Sequence, residues 1–171
     1  DTYCGERLEI MKEMNHLDLE SKTGKAPGGY NYPLYEIGVP FIFMNSVGLH
    51  RDLVTMVHEG GHAVHSFLSR ELPLTPFKNL TSEIAELASM SMELFSMEHW
   101  DLIYTDEEDL KKAKREQLEG VLEVLPWVAT VDAYQHWLYE NPEHSIQERH
   151  QAWLKISGQF SSQITDWSNY Q

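Results

Sequence analysis

Residues 58–62 read His58-Glu59-Gly60-Gly61-His62, and no other run in the chain constrains the fold as tightly. On an α-helix, side chains four apart stand one above the other, so His58 and His62 offer two imidazoles to one point while Glu59 projects beside them. Zinc takes neutral imidazole and carboxylate ligands in tetrahedral geometry, and a catalytic site keeps one position for water. Two histidines leave such a site one protein ligand short. The flanking sequence from Asp52 to Arg70 sustains a helix, with Asp52 as N-cap and Leu53, Val57, Val64 and Leu68 at near-helical spacing. Gly60 and Gly61 work against that helix by up to about 1 kcal/mol each relative to alanine. Something is therefore expected to approach the backbone closely there, either a substrate or a crossing helix. His65 continues the same face one turn later and is read as a residue that supports the metal sphere from outside or simply packs, since its interval from His62 does not extend the ligand pattern.

The missing ligand is expected from a second helix, Thr81 to Glu98, which Pro73 and Pro76 separate from the first. Thr81 or Ser82 can cap it, and Glu83 in its first turn complements the helix dipole. Glu83, Glu86 and Glu93 fall within a sector about 80° wide, while Ile84, Leu87, Ala88 and Met92 lie largely elsewhere. Spacing alone leaves open whether this acidic face is merely solvated or supplies a ligand carboxylate and a partner that orients an imidazole.

Upstream, Gly28-Gly29-Tyr30-Asn31-Tyr32 reads as a turn entering a short strand, and Val39 to Met44 is a β-branched and aromatic run of strand length. Together they predict a small antiparallel ribbon. A strand edge can bind an extended peptide through main-chain hydrogen bonds with little side-chain selectivity. Gly29, Tyr30, Phe41, Ile42 and Phe43 are the candidate peptide-contacting residues, and Tyr32 stands beside them.

These runs, in this order and spacing, resemble the thimet oligopeptidase and oligoendopeptidase F group of zinc metallopeptidases, most closely the oligoendopeptidase F branch. The likeness is carried by His58 to His65, by Glu86-Leu87-Ala88-Ser89 with Glu93 beyond, by Gly24 to Pro33 and by Val39 to Asn45. It implies a mainly α, zincin-like helical metallopeptidase catalytic domain with the β ribbon beside the zinc. It implies one zinc ion held by His58, His62 and Glu86, with Glu93 as a supporting carboxylate, His65 nearby and Glu59 as general base. The substrates implied are short unstructured peptides selected by a narrow channel. The family stabilises its oxyanion with tyrosine and histidine on a segment that follows these helices, and no match to that segment precedes Gln171. The chain, which starts at Asp1, is accordingly expected to be the metal-binding middle of a larger catalytic domain. A catalytically incomplete helical module that binds peptides or acts as a scaffold is the alternative reading.

Composition agrees. With 171 residues, 42% of them hydrophobic, the chain can bury a core, and no apolar run approaches a membrane span. A net charge of −14 argues against nucleic acid and anionic membranes as partners. Cys4 is the only cysteine, which is compatible with a reducing cytoplasm, and no secretory signal is seen. The remainder is expected to be helical. Thr105 to Glu108 reads as a capping box, Pro126 as an interruption, Asn141-Pro142 as a stop, Ser145 to Glu148 as a second capping box, and Gly158 as a weak point. Trp137, Trp153 and Trp167 are assigned to packing, and His136, His144, His150, Tyr134 and Tyr139 are kept out of the active site. No linker stands out, so residues 1–171 are read as one domain.

Overall fold

The computed structural model describes residues 2–162 and residue 164, so Trp167 lies outside the described residues. The chain forms two compact units, residues 1–105 and 106–171. In the first, helix α1 (Thr2–Glu13) leads into β1 (Leu17–Glu20), β2 (Tyr30–Tyr32) and β3 (Phe41–Ser46), followed by α2 (His50–Ser69), a short α3 (Thr75–Lys78), α4 (Ser82–Ser96) and a 3₁₀ turn from Met97 to Leu102. The architecture is mainly α with one small sheet.

The sheet holds three strands in the order β1-β3-β2. β2 and β3 pair antiparallel, with Tyr30 opposite Phe43, Asn31 opposite Ile42 and Tyr32 opposite Phe41, which is the expected ribbon. β1 pairs parallel to the other edge of β3, a strand the ribbon expectation lacks. The period of two then sorts β3: Ile42 and Met44 face inward, 1% and 2% exposed, and join Met11, Val39, Ala63 and Phe67 in the core. On the other face Phe43 stacks on Tyr30 with ring centroids 5.0 Å apart, and Lys25 Nζ lies 4.6 Å from the Phe43 ring centre.

Helix α2 begins two residues before Asp52, with Leu49 in the N-cap position. Asp52 therefore caps from inside the first turn, its Oδ2 accepting the backbone N–H groups of Val47, Gly48 and Leu49 at 2.7, 2.7 and 2.9 Å. Those bonds hold its carboxyl below the usual carboxylate range, the Leu49 bond contributing most.

In the second unit, α5 (Glu107–Glu140) runs unbroken through Pro126, where the sequence predicts an interruption. Proline removes one helical hydrogen bond, yet Thr130 Oγ1 donates to the Pro126 carbonyl at 2.8 Å, and Trp127 and Tyr134 on the continuing helix pack edge-on against Trp153 of α6 (Ile146–Phe160). Packing on the downstream half holds the helix together across the proline. Its N-cap is Asp106, which accepts from Glu108 and Asp109, so Thr105 is not the cap. Ser145 and Glu148 do form the expected box, and α6 continues through Gly158 to Phe160.

Candidate metal centre

The site is built where α2 crosses α4. A Cβ added to Gly61 would stand 2.9 Å from the Ser89 Cα and 3.3 Å from Met92 Cγ. Ser89 is fully buried, so glycine on one helix and serine on the other set how closely the two axes approach. The expected cause of the glycine pair is thus a crossing helix, and it applies to Gly61 alone; nothing lies within 4 Å of a Cβ at Gly60. His58 and His62 bracket Gly61, and Glu86 precedes Ser89 by about one turn. The close crossing carries Glu86 to the two histidines.

Its carboxylate bridges them, with Oε2 3.2 Å from His58 Nε2 and Oε1 3.5 Å from His62 Nε2. One ligand atom from each of these three residues lies within 4.8 Å of the others. Ligand bonds of about 2.0–2.2 Å around tetrahedral zinc give donor-to-donor edges of about 3.3–3.6 Å, and each imidazole lies at about that separation from its nearer Glu86 oxygen. The chemistry of the set matches as well: two imidazoles and one carboxylate are a catalytic zinc complement.

Glu93 completes the arrangement from behind. Its Oε1 accepts from His58 Nδ1 at 2.6 Å. A carboxylate can only accept, which assigns a proton to Nδ1 and leaves Nε2 facing Glu86. The same bond pushes the His58 pKa up, while burial pushes that of His62 down and favours the neutral form a metal needs. Glu83 is exposed in the first turn of α4 and stays out of the cluster.

Glu59 is 7% exposed, a buried carboxyl on the helix that carries both histidines. Burial raises its pKa, partly offset by His58 and by a hydrogen bond from the Asn31 backbone N–H. Sequence reading missed Asn31, since a main-chain donor leaves no mark in the residue code. Gly29 sits against the same carboxylate: a Cβ there would stand 3.5 Å from Glu59 Oε1 and 2.7 Å from Thr55 Cγ2. The Gly28-Gly29 pair was the available signal.

The other expected residues divide. Tyr30 and Tyr32 lie on the outer strand, 50% and 61% exposed. Phe41, Ile42 and Phe43 lie on β3, whose two edges are both paired, and Ile42 is a core residue. A peptide therefore has no edge to pair with on β3, and the open edge beside Glu59 is that of β2. His65 contacts none of the three metal-site side chains through a hydrogen bond, and its Nδ1 is buried with no partner among the described residues. In the second unit, Tyr134 packs on Trp153, His144 Nδ1 donates to the Asn141 carbonyl at 2.6 Å, and Tyr139 is 85% exposed.

Comparison with known proteins gives the family. The model of peptidase family M3 matches residues 6–170. Oligopeptidase PepF of Bacillus subtilis is 32% identical over 118 residues, covering 67% of this chain and 18% of its own length. An oligoendopeptidase F homolog of Borreliella burgdorferi is 31% identical over 120 residues, 68% of this chain and 20% of its own. Among solved structures, a candidate oligoendopeptidase F from Bacillus anthracis superposes with a TM-score of 0.84 at 39% identity, covering 91% of this chain and 28% of that one. Pz peptidase A, solved with an inhibitor, gives 0.84 at 37% identity, covering 91% and 27%. The chain spans at most about a fifth of the length of these curated relatives. With the family match running through both compact units, the chain belongs to peptidase family M3, in its oligoendopeptidase F branch.

Proposed function

We propose that this chain carries the centre of a zinc-dependent endopeptidase that hydrolyses internal bonds of short, unstructured peptides. The observation that carries the reading is the buried Glu59 carboxyl on the helix that presents His58 and His62 to Glu86. His58, His62 and Glu86 would hold one zinc ion, which when bound acidifies its water and polarises a carbonyl. Glu59 takes the proton of the attacking water and passes it to the leaving amine. Its raised pKa fits it for both halves of that transfer. Asn31 and the small Gly29 hold the Glu59 carboxylate in place, while Glu93 fixes the tautomer of His58. An extended peptide adds to the open edge of β2, where Tyr30, stacked on Phe43, supplies an apolar wall. The match from 6 to 170 supports treating both units as parts of one catalytic domain. A lone cysteine, the acidic charge and the lack of any membrane-length apolar helix among the described residues support a cytoplasmic setting.

The test is Glu59→Gln in a protein that carries this chain at the length of its relatives, assayed on a quenched fluorescent peptide together with metal analysis after dialysis. Turnover is expected to fall by at least about a hundredfold, since general base catalysis contributes about 10²–10⁴, with zinc retained at one per chain. Loss of zinc makes Glu59 a ligand. Unchanged turnover removes it from the reaction.

A further inference from the structure

Beside His62 lies a cavity of about 260 Å³, walled by β2, α2 and the segment joining α2 to α4. None of its lining residues carries a carboxylate, although the chain has 27 acidic residues against 13 basic ones. Its polar lining includes an ammonium with hydrogens to spare and two side chains with an unused polar atom. Lys78 gives one hydrogen bond, to the Arg70 carbonyl at 2.7 Å, which leaves two ammonium hydrogens. His65 Nδ1 and Asn31 Oδ1 are buried and have no hydrogen-bond partner among the described residues. The Asn31 amide nitrogen reaches Ser66 Oγ only at 3.4 Å, and a flip of that carboxamide exchanges acceptor for donor.

We propose that this cavity is a specificity subsite for a carboxylate of the substrate peptide, bound by Lys78 with Asn31 and His65. The inference rests on the peptidase reading, because His62 lines this cavity as well as the metal centre and so places the occupant next to the scissile bond. A carboxylate is acceptor-only and presents about four lone-pair sites, which is the complement of an ammonium, an imidazole N–H and an amide. Charge-assisted bonds of this kind are about twice as strong as neutral ones. The volume suits a Glu side chain or a terminal carboxylate with some water, given roughly 30 Å³ per water molecule.

The test uses quenched peptides that differ only in Glu against Gln at each position flanking the cleaved bond, each made with a free and with an amidated C-terminus. The zinc-loaded protein that carries this chain at the length of its relatives is expected to prefer one carboxylate position by roughly tenfold in kcat/KM, in line with a charge-assisted bond. Lys78→Gln should reduce that ratio to below about twofold, and Lys78→Arg should restore most of it. The amidated series tells a side-chain carboxylate from a C-terminal one. In parallel, anisotropy of dye-labelled versions of these peptides reads binding to the zinc-loaded Glu59→Gln chain. Cleavage with no carboxylate preference at any position overturns the subsite and leaves the peptidase reading intact. Carboxylate-dependent binding that Lys78→Gln removes, without cleavage by the unmutated longer protein, supports the subsite and overturns the peptidase reading. Neither cleavage nor carboxylate-dependent binding overturns both.

Discussion

Gly61→Ala is the sharpest probe of how the metal site is assembled. The new methyl would lie 2.9 Å from the Ser89 Cα, where carbon–carbon contact is normally about 3.5–4.0 Å. Met92 can swing its side chain away, but Ser89 Cα is backbone, so α4 itself must retreat by roughly 0.6–1 Å at that point. Two terms then compete. Alanine removes a helix penalty of about 1 kcal/mol, and overpacking a close contact costs about 1–3 kcal/mol. The steric term wins by about 1 kcal/mol on balance. Gly60→Ala is the matched control, because nothing lies within 4 Å of its added carbon and it should gain about 1 kcal/mol from propensity alone. Urea unfolding of the metal-free chain, followed by circular dichroism, should therefore separate the two variants by about 2 kcal/mol with opposite signs. Glu86 travels with Ser89, and zinc ligand distances tolerate only about 0.2 Å, so chelator competition should show Gly61→Ala binding zinc at least about tenfold more weakly than Gly60→Ala. Equal stability and equal zinc affinity in the two variants would refute the claim that this crossing sets the site.

Glu86→Ala should abolish stoichiometric zinc binding, while Glu83→Ala, altering an exposed first-turn residue, should leave it intact; equal losses by metal analysis would undo the ligand assignment. Glu93→Gln keeps an acceptor for His58 Nδ1 but removes its charge, and should weaken zinc by about 10–100-fold, read by competition with a chromogenic chelator. Asp52→Ala removes the acceptor of three backbone N–H groups and should cost about 1 kcal/mol at neutral pH. Because the folded pKa of Asp52 is depressed below 3.8, that contribution is present above the unfolded value and fades as pH falls through the folded one. Urea midpoints of the two proteins should thus differ steadily above roughly pH 5 and converge in more acidic solution; a gap that stays constant down to pH 3 would contradict the capping role.

The pairing of His58 with His62 was legible because the information is local. Two histidines four apart on a helix must meet, whatever surrounds them. The choice among three glutamates was not local, since Glu83, Glu86 and Glu93 share one sector; the family likeness singled out Glu86, and in the structure Glu83 stays in solvent while Glu93 turns to His58 Nδ1. What decides is where α4 is pinned. A hydrophobic pattern would pin it through Ile84 and Leu87, but these are 52% and 65% exposed, and the buried contact is Ser89 against Gly61. Small residues that permit close approach carry no hydrophobic signal, so the pattern points the wrong way. The sheet shows the same limit. Leu17-Asp18-Leu19-Glu20 alternates as a strand should, yet four residues with two acids are too short to stand out until β3 offers them an edge. The misread proline of α5 came from weighing one lost hydrogen bond without the Trp153 contacts further along the helix. In each case the sequence names the group, and the partner that decides its role lies on another element. Asn31 is the extreme instance: its side chain turns toward Ser66 while its backbone N–H holds Glu59, so a single residue of an outer strand links the proposed general base, the open edge of β2 and the cavity beside His62.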